Sequence, residues 1–424
     1  MIRFFFKGNP SVQETEKRNL RMNINADKST QYKRITLHLG KDKSLSRLHP
    51  WVFSGAIENK DKNIAEGDIT EVYTHDGQYI ATGFFQNGTI AVKILTFERE
   101  EIDFDFFDCR IRSAVNYRRT MGMFGNENNN IFRVVNAEGD FMPGFIADYY
   151  AGRLVVQFHS AGMYLMRGEI VSALRNNLKD IEFIFSKSSS TLPKSKGLEP
   201  KDEFLFGCSD QETFVAKENS IQYLIDYKQG QKTGFFVDQQ SNRELLCKLS
   251  YGKKVLNCFG YTGGFSLSAL KGGALSVETL DISKRALEIC TENAKINAFA
   301  DRHVSRCEDV VRFIDNIPKD VYDIIVLDPP AFAKHQRDLQ QALKGYRTIN
   351  KKAMEKIKSG GLIFTFSCSQ AVSKEDFLTM LFSCAVTAKR KVRIVRRLPH
   401  NVDHPQSIFH PEGEYLKGFL LYVE

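Results

Sequence analysis

The sequence predicts an α/β chain whose C-terminal half is a mostly parallel sheet, covered by helices on both faces and closed by an antiparallel hairpin. Three observations carry that prediction. Short apolar strands alternate with helix-length amphipathic segments from about residue 253 onward, the pattern of a parallel sheet between two helical layers. One strand after another ends in unusual residues: a glycine turn, an acid, an acid pair, Asp-Pro-Pro and Ser-Cys-Ser. In open α/β sheets ligands bind at those C-terminal ends. The region from about residue 33 to 100 differs, with short alternating runs punctuated by Gly and Asp that predict a small β-barrel or β-rich module.

The elements follow in order. Residues 1–32 are read as an extension, the first 21 of them disordered, with Met22 as a candidate start. Residues 33–105 hold the runs ITLHL, DITEVYT, QYIATGFF and TIAVKILTF. Residues 106–215 form an α+β segment, its helical stretch beginning at 103 and running to 125, with one further helix near Tyr164–Leu178 among IFRVVNA, GFIADYY, RLVVQFH and IEFIFSK. LPKSKGLEPKDE (Leu192–Glu203) is read as a polar loop. In residues 216–424, KKVLNCFGY (Lys253–Tyr261) is a strand entering a glycine turn, SVETLD (Ser276–Asp281) a second strand, HVSRCED a third and YDIIVLDPP (Tyr322–Pro330) a fourth. A polar helix through Lys356 leads to LIFTFSCSQ (Leu362–Gln370). KRKVRIVRR (Lys389–Arg397) and GFLLYV (Gly418–Val423) make the closing hairpin, the basic strand with one face buried and the other solvated.

Composition sets bounds. With 424 residues, 42% hydrophobic and 26% charged, the chain has room for two or three ordinary globular domains. The eight cysteines form no CxxC pair and no histidine stands at zinc-ligand spacing, so no metal is expected. Scattered cysteines, an N-terminal apolar run too short for a signal peptide and no stretch near the roughly 18–20 apolar residues of a membrane span predict a cytoplasmic protein without a membrane partner. A net charge of +8 is compatible with a polyanionic partner.

The strand ends suggest chemistry. NCFGYTGGFS lacks the GxGxxG of a dinucleotide site, but Gly260, Gly263 and Gly264 permit close backbone approach. Asp281 at the next strand end can accept ribose hydroxyls, and Glu308-Asp309 can meet an adenine edge. Such a series fits a nucleoside ligand without phosphates, of which S-adenosylmethionine is one. The cofactor candidates are Phe259, Gly260, Thr262, Gly263, Gly264, Asp281, Asp309, Asp328 and Pro329. A helix-capping role ahead of Ser283 is the structural alternative for Asp281. Asp328 and Cys368 end successive strands and should flank one cleft, where a thiol beside a methyl donor suggests covalent catalysis.

KTGFFVDQQSNR (Lys232–Arg243), VLNCFGYTGGFSLSAL, VLDPPAF, FTFSCS and DHPQSIFHPEGEYLKGF (Asp403–Phe419), with SRLHPWVFSGAIE (Ser46–Glu58) and NAEGDFMPGFIAD (Asn136–Asp148), closely resemble the ribosomal-RNA large-subunit methyltransferase I family. The resemblance implies an N-terminal PUA barrel, a central α+β domain and a C-terminal class I, Rossmann-like methyltransferase domain. It implies 5-methylcytosine formation in 23S ribosomal RNA: Cys368 adds to carbon 6, Asp328 hydrogen-bonds the base, and carbon 5 takes the methyl group. Candidate RNA contacts are Arg47, His49 and Trp51 in the barrel and Lys232, Pro330 and Phe332 near the cleft, although Trp51 and Phe53 alternate and could form a core face instead. One departure stands out. Many RNA cytosine-5 methyltransferases carry a second cysteine after the Pro-Pro pair, and here that position is Ala331, which leaves the final base unassigned. A homodimer is left open. The rival readings are a methyltransferase of guanine or an exocyclic amine, and a non-catalytic RNA-binding assembly factor.

Overall fold

The structure, a computed structural model, describes residues 32–192, 198–333 and 336–424. The proposed N-terminal extension and start lie outside them. Backbone contacts divide the described residues into two compact units, one of 32–109 with 160–173 and one of 110–159 with those beyond 173.

The first unit is built on a six-stranded sheet of Lys33–Leu37, Trp51–Phe53, Ile57–Lys60, Ile69–Tyr73, Tyr79–Phe85 and Ile90–Thr96. Ile35, Leu37, Val52, Val72, Ala81, Val92 and Ile94 form its core. The short helix Ala161–Leu165 packs on it through Gly162, where an added Cβ would lie 2.1 Å from the Phe84 ring.

The second unit contains two sheets and a hairpin. The five-stranded sheet runs in the order Asp202–Phe206, Phe183–Lys187, Arg153–Phe158, Phe145–Tyr150, Ile131–Asn136. Two expectations are corrected here. The end of the predicted polar loop, from Asp202, is an edge strand of this sheet, pairing antiparallel with Phe183–Lys187. The single helix near Tyr164–Leu178 is two, Ala161–Leu165 and Arg167–Asn177, because Met166 leaves the helical region.

The seven-stranded sheet comprises β1 (Lys254–Cys258), β2 (Ser276–Asp281), β3 (His303–Cys307), β4 (Ile324–Leu327), β5 (Gly361–Ser367), β6 (Val392–Arg397) and β7 (Lys417–Val423). Its order is β3-β2-β1-β4-β5-β7-β6. The first five strands are parallel, and β7 runs antiparallel to both β5 and β6. Chain direction across the sheet therefore reverses between β1 and β4, the switch point at which such sheets open a crevice. Helices α1 (Gln240–Leu249), α2 (Gly264–Lys271), α3 (Lys284–Ile296), α4 (Val310–Asn316), α5 (Leu339–Lys356) and α6 (Lys374–Ala388) accompany it. Side chains alternate between two cores. Leu256, Ile325, Leu327 and Ile363 pack against Ile314, Tyr346 and Phe377 on one side. Val255, Ile324, Val326 and Phe364 pack against Leu246, Phe265 and Ala269 on the other. Burial on both faces explains why these strands read as continuous apolar runs. A Ser373–Asp376 capping box starts α6.

The basic strand departs from its expectation. Val392 is half-buried, whereas Ile394 and Val395 are exposed. Among the described residues β6 is an edge strand paired only with β7 and interrupted by a register shift after Ile394, and beyond Val392, which packs partly on the core, its residues are exposed. Its charges blunt an open edge. Arg390, just before it, caps the end of α5 by donating to the carbonyls of Met354 and Ile357. Among the described residues no helix is long and apolar enough to cross a membrane.

Candidate active site

The glycine turn after β1 is shaped by close packing. Phe259 (φ 60°) and Tyr261 (φ 47°) take the left-handed conformation that L-residues rarely adopt, a local strain typical of functional turns. A Cβ on Gly260 would lie 2.3 Å from Thr279 Cγ2 in β2, and one on Gly263 would lie 2.5 Å from the Cys290 sulfur in α3. Both glycines thus let the turn press against the next strand and helix. Beneath it Asn257, Ser266, Thr279 and His303 form a hydrogen-bonded chain with links of 2.8, 2.6 and 2.8 Å. Burial lowers the His303 pKa to about 4, so this chain is neutral.

Asp281 ties the turn to the end of β2. Its Oδ2 accepts from the Tyr261 N–H and its Oδ1 from the Ser283 N–H, each at 2.9 Å. The helix cap itself is Ser283, whose side chain accepts from the Ala286 N–H. The carboxylate is therefore oriented by two backbone donors while each oxygen keeps a second lone pair. Among the described residues, Thr262 Oγ1 in the same turn is buried without a hydrogen-bond partner. These free acceptor sites and the orphaned hydroxyl fit a ligand that brings its own donors, as a ribose does. Asp309 is exposed and is the N-cap of α4, accepting from the Arg312 N–H at 2.8 Å.

Asp328 and Cys368 follow β4 and β5, which are direct parallel neighbours. The Cys368 thiol points to the Pro329 carbonyl, 3.8 Å away. Burial, reinforced by the nearby Asp238 carboxylate, raises the Asp328 pKa to about 7, and Gln239 donates to its Oδ2 at 3.2 Å. Burial, with Asp328 as the next cause, raises the Cys368 pKa to about 11. The Lys232 ammonium opposes both shifts. It lies 3.5 Å from Asp238 and 4.4 Å from the centre of the Phe236 ring. A second cation, Lys417 at the start of β7, is buried and donates to the Ser369 carbonyl at 2.7 Å. Burial lowers its pKa, and Cys368 is the main group opposing that shift.

Ser367 and Ser369 explain why the cysteine stands between hydroxyls. Both are fully buried. Ser369 Oγ accepts from the Ala333 N–H at 3.2 Å and pairs with the Tyr346 hydroxyl at 2.9 Å, while Ser367 Oγ accepts from the Ser369 N–H at 3.4 Å. The Asp-Pro-Pro loop and the Ser-Cys-Ser turn are thereby joined, which sets the sulfur beside Asp328. Pro329 is buried and Pro330 exposed. Phe332 is half-buried, with its ring 4.7 Å from that of Tyr346.

In the first unit Val52 turns into the core, whereas Trp51 is half-buried and Phe53 exposed. His49, Trp51 and Phe53 form a cluster with ring centroids 5.9–6.4 Å apart, and Arg47 is exposed. The alternation at 51 and 53 is thus an outward aromatic face and not a core face.

Sequence reasoning missed Asp238, Gln239, Lys417 and the buried pair Asp403–His404. All lie inside the quoted segments KTGFFVDQQSNR and DHPQSIFHPEGEYLKGF, so the segments were visible while the chemistry of these side chains was not.

Residues 145–409 match the S-adenosylmethionine-dependent methyltransferase family, and residues 35–97 match the PUA-like domain. A solved structure described as a SAM-dependent methyltransferase from Streptococcus mutans shares the fold, with a TM-score of 0.79 at 21% identity over 92% of this chain and 99% of that one. A second solved methyltransferase with the same TM-score is complexed with SAH. The ribosomal RNA large subunit methyltransferase I of Aeromonas hydrophila is 37% identical over 91% of this chain and 98% of its own length. That of Shewanella frigidimarina is 38% identical over 92% and 99%. A two-domain pattern and a likeness that runs almost end to end establish that the chain belongs to the ribosomal RNA large subunit methyltransferase I family, within the S-adenosylmethionine-dependent methyltransferases.

Proposed function

We propose that the chain transfers a methyl group from S-adenosylmethionine to carbon 5 of a cytosine in large-subunit (23S) ribosomal RNA, with Cys368 as a transient covalent nucleophile. The observation that carries this reading is the pairing of a thiol with a carboxyl of pKa about 7 on adjacent strand ends. A carboxyl poised there is present both as acid and as base at neutral pH.

The cofactor supplies an electrophilic methyl group. Asp281 would accept the ribose hydroxyls, with Phe259, Gly260, Thr262, Gly263 and Gly264 lining the turn and Asp309 at the adenine side. Cys368 sulfur bonds carbon 6 of the cytosine, with Lys232 and Lys417 stabilising the thiolate. Asp328 in its acid form donates to the ring nitrogen N3, which balances the electron density pushed toward carbon 5. After methyl transfer the carbon 5 proton passes to water or another base, its C–H electron pair re-forms the C5–C6 double bond, the C6–S bond breaks with its electrons returning to sulfur, and N3 gives its proton back to Asp328. A cytosine within a duplex hides carbons 5 and 6, so the target must be looped or flipped out. Arg47, His49 and Trp51, the last with Phe53, supply a stacking face with charge for RNA, and Pro330 and Phe332 border the base site.

Two outcomes are expected. Asp281→Ala weakens S-adenosylmethionine binding at least about tenfold by calorimetry, because one charge-assisted hydrogen bond contributes about 1.5–3 kcal/mol; unchanged affinity in a folded variant removes Asp281 from the cofactor site. The double variant Trp51→Ala, Phe53→Ala loses about 1–3 kcal/mol of RNA affinity per stacked base, with cofactor affinity intact. Equal RNA affinity for variant and parent would remove the aromatic cluster from the interface. The function itself is tested by nucleoside mass spectrometry and bisulfite sequencing of large-subunit RNA from cells with and without the chain. One 5-methylcytosine should vanish with it.

A further inference from the structure

The start of α1 and the segment between β6 and β7 are bonded together beside Asp328. The short 3-10 turn Val237–Gln239 runs directly into α1. The Asn401 N–H donates to the Asp238 carbonyl at 3.0 Å, its side-chain amide donates to Gln240 Oε1 at 2.6 Å, and the Ser241 hydroxyl donates to its Oδ1. Two residues earlier, the Pro399 carbonyl accepts from Asn242 Nδ2 at 3.1 Å. The same Nδ2 donates to Gln239 Oε1 at 2.7 Å. Gln239 Nε2 in turn donates to Asp328 Oδ2 at 3.2 Å. Gln239 and Asn242 are each only 2% exposed.

This chain of amides runs in one sense. A backbone carbonyl only accepts, so the Asn242 atom facing Pro399 is the amino nitrogen, and its second hydrogen goes to Gln239. The Gln239 atom that receives it is the amide oxygen, which leaves the NH2 group for Asp328. The orientation of the Gln239 amide is therefore set by a main-chain carbonyl two links away.

The two Asp328 oxygens differ as a result. Oδ2 accepts from Gln239. Among the described residues no donor is bonded to Oδ1, which is not a buried orphan, and Asp328 is partly exposed. The carbonyl oxygen of a carboxylic acid accepts a hydrogen bond better than its hydroxyl oxygen does. A donor fixed on Oδ2 makes that atom the carbonyl oxygen of the acid form and leaves the proton to Oδ1.

We propose that Gln239, oriented by Asn242, is a positioning residue that places the Asp328 proton on Oδ1, facing N3 of the target base. The inference rests on the reading above, with Cys368 as nucleophile and Asp328 as acid. As the sulfur bonds carbon 6, the C5–C6 π pair shifts to C4–C5 and the C4–N3 π pair moves to N3. N3 takes the Oδ1 proton, and the O–H electron pair stays on Oδ1. The carboxylate so formed keeps the Gln239 hydrogen bond at Oδ2, which stabilises it.

The sign of the pH effect follows. The charged and titratable groups around Asp328 are Asp238 and Lys232 ahead of α1, Arg243 within α1 and Cys368 after β5. Burial and Asp238 raise the Asp328 pKa to about 7, while Lys232, Gln239 and Arg243 work against the rise. Gln239 favours the ionised form, so its removal moves the pKa further up.

The test is single-turnover methyl transfer to target RNA from pH 5.5 to 9, using the full-length parent, Gln239→Met, Asn242→Leu and the double variant. Methionine keeps the length of glutamine without its amide. Active sites are first counted by trapping to completion with RNA carrying 5-fluorocytosine, so misfolded protein drops out of the comparison. At pH 6 Asp328 is protonated in every protein, and the rate per site reads where the proton sits. Gln239→Met should be about tenfold or more slower there, the size of one charge-assisted hydrogen bond. The pH at which its rate stops rising should move up from about 7 by about one unit. Asn242→Leu should shift both readouts in the same direction, and the double variant should be no slower than Gln239→Met alone. A Gln239→Met rate within about threefold of the parent at pH 6, or a break left near 7, would overturn the assignment and leave Gln239 a packing group. A further tenfold loss in the double variant would overturn Asn242 as the group that acts through Gln239. No trapped adduct with the parent, or no break in its profile, would instead mean that the reading of Cys368 or of Asp328 has failed, and the role of Gln239 falls with it.

Discussion

Replacing Cys368 by alanine is expected to abolish methyl transfer and to leave S-adenosylmethionine affinity unchanged. The proposed ribose contacts sit on the turn after β1 and at the end of β2, whereas the sulfur follows β5. Loss of the sulfur therefore removes the nucleophile without touching the ribose contacts. Removing a nucleophile from an enzyme that forms a covalent intermediate typically costs about four or more orders of magnitude in kcat. Cys368→Ser is expected to fail almost as badly, since a hydroxyl is a far weaker nucleophile at neutral pH than even a minor thiolate population. A space-filling cysteine predicts the opposite, because serine preserves shape. The exposed Cys208 is the control, and Cys208→Ser should retain full activity.

Asp328→Asn carries the second largest effect and changes the pH profile in a diagnostic way. In the proposed mechanism the productive form has Asp328 protonated, with a pKa of about 7, and Cys368 ionised, with a pKa of about 11. Its population rises tenfold per pH unit up to about 7, where further thiolate is offset by loss of the acid form of Asp328. It then stays level until about 11 and falls beyond. The parent kcat/KM should therefore stop rising near pH 7. In Asp328→Asn the group cannot ionise, so kcat/KM should be about 100-fold or more lower at pH 7 and should keep climbing with pH through 7. A variant that levels off at the same pH as the parent would show that another group sets that limb.

Much of the fold was legible because local pattern and tertiary role agree. Ser276–Asp281 is a strand in sequence and in structure, flanked by α2 and α3, which bury Leu267, Ala269, Ala286 and Cys290. β6 was only half legible. Alternation in KRKVRIVRR implies a buried face only if a layer lies over it, and nothing in the local sequence states that β6 is the uncovered edge. The same limit governs the site. Glycines, Asp281, Asp328 and Cys368 stand at strand ends, where position along the chain predicts position in space. Asp238 and His404 lie on irregular segments whose places are set by distant partners, such as Arg133 for Asp403 and Tyr415 for Asp238. The serines around Cys368 stand out in the sequence as Ser-Cys-Ser, yet the bond from the Ala333 N–H to Ser369 depends on a contact with the neighbouring strand's loop.

The most direct measurement is denaturing electrophoresis of the protein after incubation with S-adenosylmethionine and target RNA bearing 5-fluorocytosine. Fluorine at carbon 5 leaves no proton to remove, so the methylated adduct cannot resolve. A slow-migrating protein–RNA species that survives denaturant with the parent chain, and is absent with Cys368→Ala, is the predicted result. A stable adduct in Cys368→Ala, or none in the parent while it turns over ordinary RNA, would contradict covalent catalysis by Cys368.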